Sequence, residues 1–412
     1  MGINNRIGVA SLFSGCGGMD LGFEGGITVP LESTRPFKVA KLAVDKNNFA
    51  RLPELPFETV FACDTNAKAK VAWEAYFAKR RDVSGVYRCQ SIVDIVRDLS
   101  TDSKSKLPQI KVVTGGFPCN DFSVAGKRLG FKSNKSHKGN GILIDPEQDD
   151  ARVENRGMLY YWMREFIGLT QPEVFYAENV KGLISLGDAM KVIAQDFSDI
   201  KGSRYHVLPV KLLKAVQYGI PQTRERVIFI GLNLDRVKPE IRKYLLEHGN
   251  LPSELDLYPS PFYGPEKPVC YVASSAAFRG LDEPDTSTDS SQKSFSKARY
   301  LPGLQGQTEV TATKPGPTIR AEHHGNIEFR RLSKEHGGIN DIELARGLPE
   351  RRLTVRECAR LQTFPDEYEF VIEKKLSASD GYRLIGNAVP PLLAYHLAHR
   401  LHEVWGSLFI TR

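Results

Sequence analysis

Hydrophobic positions along the chain fall into short unbroken runs, separated by longer stretches in which apolar residues recur at helical spacing. Arg6 to Phe13, Val60 to Cys63, Ile110 to Val113, Val174 to Ala177 and Val227 to Leu232 are strand-length and almost wholly apolar. Such runs fit strands buried on both faces. Helix-like stretches lie between them, notably Ala67 to Lys79 and Leu159 to Leu169. Strands that alternate with helices predict an α/β fold built on a doubly wound, mostly parallel sheet. Near the end, Leu393, Leu397, Leu401 and Val404 follow Pro390-Pro391 at helical spacing and predict a helix that packs into the core.

The alternation breaks near residue 235. Prolines multiply (Pro252, Pro259, Pro261, Pro265, Pro268), and Ser274 to Ser296 is rich in Ser, Thr and Asp without a period. Residues 236–370 therefore read as a second, smaller and less regular domain containing a mobile loop, inserted between residues 1–235 and 371–412 of the first. The segment from Gly25 to Glu58, with four prolines, reads as a surface elaboration.

Composition narrows the class. The chain has 412 residues, 41% hydrophobic and 25% charged, with no apolar stretch long enough to span a bilayer and no secretory signal at its start, so a cytoplasmic protein is expected. Six cysteines stand singly, without a Cys-x-x-Cys pair. That argues against zinc and redox dithiols and for a reducing compartment. Net charge of +7 permits a polyanionic partner, and five cations without an acid (Lys127, Arg128, Lys132, Lys135, Lys138) cluster in one loop.

Candidate chemistry sits where strands end. Gly115-Gly116-Phe117-Pro118-Cys119 places a thiol after an apolar run and what reads as a glycine turn, where a parallel sheet carries a nucleophile. Cys119 is a nucleophile candidate; a buried cysteine closing a strand is the alternative. Ser14-Gly15-Cys16-Gly17-Gly18 allows a ligand close to the backbone, but Asp20 stands where a dinucleotide fingerprint needs its third glycine. Asp64 ends the second run and suits ribose hydroxyls or a helix N-cap. Glu178, in Glu178-Asn179-Val180, points into the same crevice, suited to a heterocyclic nitrogen. Gln222, Arg224 and Arg226 alternate onto one face, where arginines clamp a carbonyl oxygen or phosphate. His323-His324 lacks partners at metal-ligand spacing, so no metal is expected.

Taken in order, the glycine loop, Phe117-Pro118-Cys119, Glu178-Asn179-Val180, Gln222-x-Arg224-x-Arg226, Arg356-Glu357-Cys358-Ala359-Arg360 and Gly386-Asn387-Ala388-Val389 closely resemble the ordered motifs of cytosine-5 DNA methyltransferases of the prokaryotic restriction-modification type. The resemblance implies a Rossmann-like methyltransferase fold that uses S-adenosylmethionine, releases S-adenosylhomocysteine and acts on double-stranded DNA. It implies that Cys119 attacks the flipped-out cytosine, that Glu178 engages the ring, and that Arg226 holds its carbonyl oxygen with Arg224 in support. For the cofactor it implies Phe13, Gly15, Gly17 and Gly18 at the methionine part and Asp64 at the ribose. Leu159 would lie near the adenine and Asn387 would close the site, with Ile92, Pro118 and Ala388 lining it.

Where the family usually reads Gly-Asp-Ile, this chain has Gln90-Ser91-Ile92, and Ser91 is a weak substitute for an aspartate. Asn120-Asp121 also departs from the common pattern, and the stretch from Gly130 to Asn155 exceeds that of the smallest members. The loop carrying Ser123, Lys127 and Arg128 would close over DNA, and Thr318-Ile319 resembles a pair lying near the extruded nucleotide. The region from about 236 to 350 would read the target. A monomer at the nucleoid, paired with an endonuclease of the same specificity, completes the expectation; an RNA cytosine-5 methyltransferase or a non-catalytic DNA-binding relative are the alternatives.

Overall fold

The computed structural model describes residues 6–39, 41–101, 107–118, 159–186, 188–202, 204–267, 269–304, 306–321 and 327–410. Its centre is one eight-stranded sheet: β1 (Ile7–Leu12), β2 (Phe57–Cys63), β3 (Tyr87–Arg88), β4 (Val112–Gly116), β5 (Val174–Val180), β6 (Tyr205–Val207), β7 (Lys211–Lys214) and β8 (Glu225–Asn233). The spatial order is β3-β2-β1-β4-β5-β8-β6, with β7 also beside β8. Strands β3 through β5 are parallel, while β8 runs antiparallel to β5. Chain direction reverses its march across the sheet between β1 and β4, so the crevice beyond their C-terminal ends is the expected ligand site. Because β8 is antiparallel, its N-terminal end opens onto that same crevice.

The unbroken apolar runs are explained by burial on both faces. In β5, Val174 and Tyr176 enter one core cluster while Phe175 and Ala177 enter the other. In β8, Ile228, Ile230 and Leu232 face the first cluster, and Val227 and Phe229 the second. Each fully buried Val, Ile, Leu or Phe among them contributes roughly 1.5–3 kcal/mol. Helices Ile92–Thr101, Leu159–Thr170 and Ala189–Ser198 cover one face; Gly18–Glu24 and the C-terminal helix Pro391–Leu408 cover the other. The stripe Leu393, Leu397, Leu401, Val404 is buried there, as its spacing predicts. Among the described residues no helix is long and apolar enough to cross a membrane.

Three segments differ from expectation. Gly115-Gly116 is no turn: both residues lie within β4. A Cβ at Gly115 would meet Met163 Sδ at 2.9 Å and one at Gly116 would meet Glu178 Oε2 at 2.9 Å, so a larger residue at either position would displace those side chains. The segment from Gly25 to Glu58 is more than surface: it forms a two-stranded ribbon, Thr28–Pro30 with Phe49–Arg51, and buries Ile27, Val29, Phe37, Leu52 and Leu55 in the core. The Ser/Thr-rich stretch contains the short helices Ser274–Phe278 and Ser290–Lys293, and its Ser274, Ser291 and Gln292 are buried. Gln292 Oε1 accepts from Thr354 Oγ1, and Asp289 pairs with Arg356 at 2.6 Å, so side-chain partners supply the order that periodicity does not show.

Candidate active site

The loop after β1 is fixed from every side. The Ser14 amide donates to Cys63 O at 2.9 Å and the Gly15 amide to Asp64 Oδ2 at 3.0 Å. Tyr87 Oη donates to Gly15 O at 2.9 Å, and Tyr368 Oη donates to Cys16 O. Beneath the loop, fully buried Asp20 accepts from Ser11 Oγ (2.5 Å), Ser14 Oγ (2.8 Å) and Trp73 Nε1 (2.6 Å). Burial pushes the Asp20 carboxyl upward from its usual range, against the pull of those three hydrogen bonds. Phe13 is held at φ 52°, a left-handed conformation that persists in a non-glycine residue only where its surroundings over-determine it. Gly17 (φ 76°) serves packing, because a Cβ there would lie 2.5 Å from the Trp73 ring.

Asp64 follows β2. Its Oδ1 accepts from the Asn66 amide at 2.8 Å, and Asn66 rather than Asp64 caps the helix Ala67–Phe77. Burial raises the Asp64 carboxyl, while the backbone amides of Asn66 and Gly15 oppose the rise. Ser91 Oγ accepts from the Val93 amide at 3.3 Å at the start of the next helix, so Ser91 is partly committed to the backbone.

Glu178 lies beside Gly116 in the β4–β5 register and faces Ile228 of β8; two positions on, Val180 faces Arg226. Arg226 Nε approaches Glu178 Oε1 at 2.5 Å, with both side chains only 11% exposed. The missing Cβ at Gly116 leaves room for the other carboxylate oxygen. Buried Asn179 donates from Nδ2 to Phe117 O at 3.3 Å, which fixes the chain just before Pro118 and Cys119. Cys119, Ser123, Lys127 and Arg128 lie outside the described residues, as does His323-His324.

Of the three residues expected on one face, only Arg226 reaches Glu178. The strand begins at Glu225, and Gln222-Thr223 instead bridges to Gly316. Gln222 Oε1 accepts from the Ile319 amide at 3.1 Å and its Nε2 donates to Gln362 Oε1 at 2.6 Å. Buried Arg224 donates to the carbonyls of Ile319 (2.9 Å), Gly386 (2.8 Å) and Ala388 (2.9 Å). Thr318 Oγ1 donates to Thr223 O. Arg224 and Gln222 thus join the strand, the 316–320 segment and the end of the helix Ala378–Asn387 in one corner.

These groups surround a cavity of about 870 Å³. Phe13, Gly15, Gly18 and Asp64 line its glycine-loop side. Ser91, Ile92, Pro118, Leu159, Asn387 and Ala388 line it as well. Glu178, Arg224, Arg226, Thr318 and Ile319 open onto the same space; Gly17 does not. Asp20, Asn179, Tyr87 and Tyr368 are supports that the sequence reading passed over. The available signal was Asp20 among the apolar residues of the short helix Gly18–Glu24, which also ends in a carboxylate. Among the described residues, no group of three His, Cys, Asp or Glu side chains is placed to hold a metal.

A family model, C-5 cytosine-specific DNA methylase, matches residues 7–143 and 148–403. The chain belongs to that family. It is therefore a DNA cytosine-5 methyltransferase by class. It is 30% identical to the Type II methyltransferase M.BsuRI of Bacillus subtilis over 96% of this chain and 79% of that protein. It is also 30% identical to M.BspRI of Lysinibacillus sphaericus, over 97% and 82% respectively. Among solved structures, a putative DNA modification methyltransferase encoded within an Escherichia coli prophage matches 97% of this chain and 100% of its own, with a TM-score of 0.55 and 18% identity. Dnmt2 methyltransferase of S. pombe matches 97% and 99%, with a TM-score of 0.55 and 15% identity. These two likenesses bear on the fold alone.

Proposed function

We propose that this methyltransferase transfers a methyl group from S-adenosylmethionine to carbon 5 of a cytosine flipped out of duplex DNA, through a covalent adduct with Cys119. The observation that carries the reading is the Glu178–Arg226 pair, at 2.5 Å, lining the same cavity as the glycine loop. The donor set fits the cofactor. The carboxylate of Asp64 suits ribose hydroxyls, the close-approach loop at Phe13 and Gly15 suits the methionine part, and the apolar walls of Ile92 and Leu159 suit the adenine. When bound there, S-adenosylmethionine supplies an electrophilic methyl group.

Carbon 5 of cytosine is a weak nucleophile. Addition of the Cys119 thiolate to carbon 6 forms a carbon–sulfur bond and shifts an electron pair toward ring nitrogen 3 and the carbonyl oxygen, leaving carbon 5 an enamine carbon. Glu178 bonds to nitrogen 3 and the exocyclic amine, and Arg226 to the carbonyl oxygen, where negative charge gathers. After carbon 5 has been alkylated, loss of its proton and scission of the carbon–sulfur bond release the thiolate and restore aromaticity. Arg224 and Gln222 act through backbone carbonyls and amides and keep this corner in register.

The target atom is hidden in a duplex, so the base must leave the stack. Residues 236–370 would read the surrounding sequence, with Thr318-Ile319 beside the extruded nucleotide and the loop of Ser123, Lys127 and Arg128 closing over it. The names of the Type II relatives support DNA as substrate and a restriction endonuclease of the same specificity as functional partner. We place the enzyme, as a monomer, in the cytoplasm at the nucleoid. Bisulfite sequencing of DNA from a methylase-free strain expressing the chain tests the reading: a modified cytosine within a fixed sequence is expected, and methyl transfer to tRNA but not DNA contradicts it. Cys119→Ser is expected to abolish turnover while cofactor binding persists, measured by calorimetry.

A further inference from the structure

Outside the cavity, a tight turn presents two exposed leucines. Leu301-Pro302-Gly303-Leu304 is a tight turn closed by the Leu304 amide on Leu301 O at 3.4 Å, with Gly303 at φ 81°. Proline before a positive-φ glycine is the signature of a type II turn, which sets its first and last residues side by side. Those residues are leucines, 55% and 56% exposed.

The turn is displayed on a rigid base. Arg352, 1% exposed, donates to Ala298 O (3.2 Å), Arg299 O (3.2 Å) and Gly306 O (2.8 Å), and to Gln307 Oε1 (3.1 Å). Gln307 Oε1 also accepts from the Leu301 amide at 3.0 Å. Tyr300 stacks on His336 with ring centroids 4.3 Å apart. Two ties connect this base with the active-site rim. The Ser296 amide donates to Tyr382 Oη on the helix that ends at cavity-lining Asn387, and Arg352 also donates to Ile327 O, beyond cavity-lining Arg320 and Ala321. Charge completes the picture: between Asp289 and Glu309 the chain carries Lys293, Lys297 and Arg299 and no acid, and Lys297 and Arg299 are exposed.

We infer that this turn reads the target duplex: Leu301 and Leu304 lie against apolar base edges such as thymine methyl groups, while Lys297 and Arg299 hold flanking phosphates. The inference rests on the proposed DNA substrate. Apolar contact with a thymine methyl discriminates sequence, whereas a phosphate contact does not. Arg352, which the sequence presents as one more cation, is then the residue that sets the loop's shape from below.

The test uses the full chain and, first, the target site found by bisulfite sequencing for the unsubstituted enzyme. Failure to methylate any DNA at that stage counts against the function, not against the loop. Duplexes carrying the site and its single-base variants are then assayed with the Leu301→Ala/Leu304→Ala and Lys297→Ala/Arg299→Ala double variants. The leucine variant is expected to raise the KM for the cognate duplex about tenfold and to lose discrimination at one or two base positions, with cofactor affinity and melting temperature unchanged. The cation variant is expected to weaken binding to all duplexes alike and to reduce the salt slope by about two. Unchanged KM and discrimination in the leucine variant overturn the inference. A shift from dimer to monomer with discrimination intact overturns it as well, and assigns the turn to a second copy of the chain.

Discussion

Two regions of the molecule share one apolar cluster but differ in what else holds them. Around the sheet, β5 and β8 send bulky apolar side chains to both faces, and stability there comes from removing them from water. Residues 283–366 send Val310, Ile319, Leu353, Val355 and Phe364 into the same apolar cluster, and add to it a set of buried arginines. Arg351 pairs through both ends of its guanidinium with Glu357 at 2.9 Å and reaches Glu283 at 3.0 Å. Arg331 joins Glu283 (2.6 Å) and Glu343 (2.5 Å), while Arg356 and Arg360 pair with Asp289 and Asp366 and with backbone carbonyls. An irregular chain has few ladders with which to satisfy its own carbonyls. A planar guanidinium with several donors does that work, at a desolvation cost only good geometry offsets. The catalytic groups stand on the first kind of framework, and the region proposed to read DNA stands on the second.

Removal of one partner from each framework tests that contrast most strongly. Arg351→Ala leaves buried Glu357 without its bidentate cation, while half-buried Glu283 keeps Arg331, and is expected to cost about 3–5 kcal/mol. Ile230→Ala opens a cavity in the sheet core, with an expected cost of about 2–5 kcal/mol. Hydrogen exchange distinguishes them: the arginine variant should lose protection first within 283–366, the isoleucine variant across the whole sheet. Equal loss everywhere in both variants would mean that the two regions unfold as one unit.

Acid sharpens the same contrast. Burial alone pushes Glu283 upward, yet hydrogen bonds and charge from Arg331 and Arg351 outweigh it and hold the carboxyl at about 2, below its ordinary 4.5. Stability from this group is present above its unfolded value and lost as pH falls from about 4.5 toward 2. Glu343 and Asp366 are shifted in the same direction. Asp20 and Asp64, raised by burial, have the opposite sign: their contribution is full below the ordinary value of 3.8 and is lost as pH rises through their folded values. Acidification to pH 3 should therefore loosen the arginine-bound region while the glycine loop stays protected, which pH-resolved hydrogen exchange measures. The smallest effect is expected from Asp20→Asn, because one amide oxygen still accepts from Trp73 and Ser14 while the amide nitrogen donates to Ser11. Melting temperature should move little, and a collapse of cofactor affinity would show that charge, not geometry, holds the loop.

The sheet and its crevice were legible in the sequence because unbroken apolar runs and the residues that end them follow directly from burial on both faces. The arginine framework was not. A buried arginine and an exposed one are the same letter, and the general rule puts charge outside. Gly115-Gly116 misled for a related reason: glycine marks a turn when φ demands it, but here it marks the crowding of Met163 and Glu178, which only the fold discloses. The corner formed by Gln222 and Arg224 was read as one face of a strand because alternation was extended past the strand's start at Glu225.

The central claim, a covalent thiol adduct framed by Glu178 and Arg226, is tested most directly with a duplex in which cytosine is replaced throughout by 5-fluorocytosine. Fluorine at carbon 5 cannot leave as a proton does, so the adduct cannot resolve after methyl transfer. With S-adenosylmethionine present, intact-protein mass spectrometry should find the chain joined to DNA through the peptide containing Cys119, and Cys119→Ser should abolish that species. Full methyl transfer with no covalent complex, or a complex that survives in Cys119→Ser, would contradict the account.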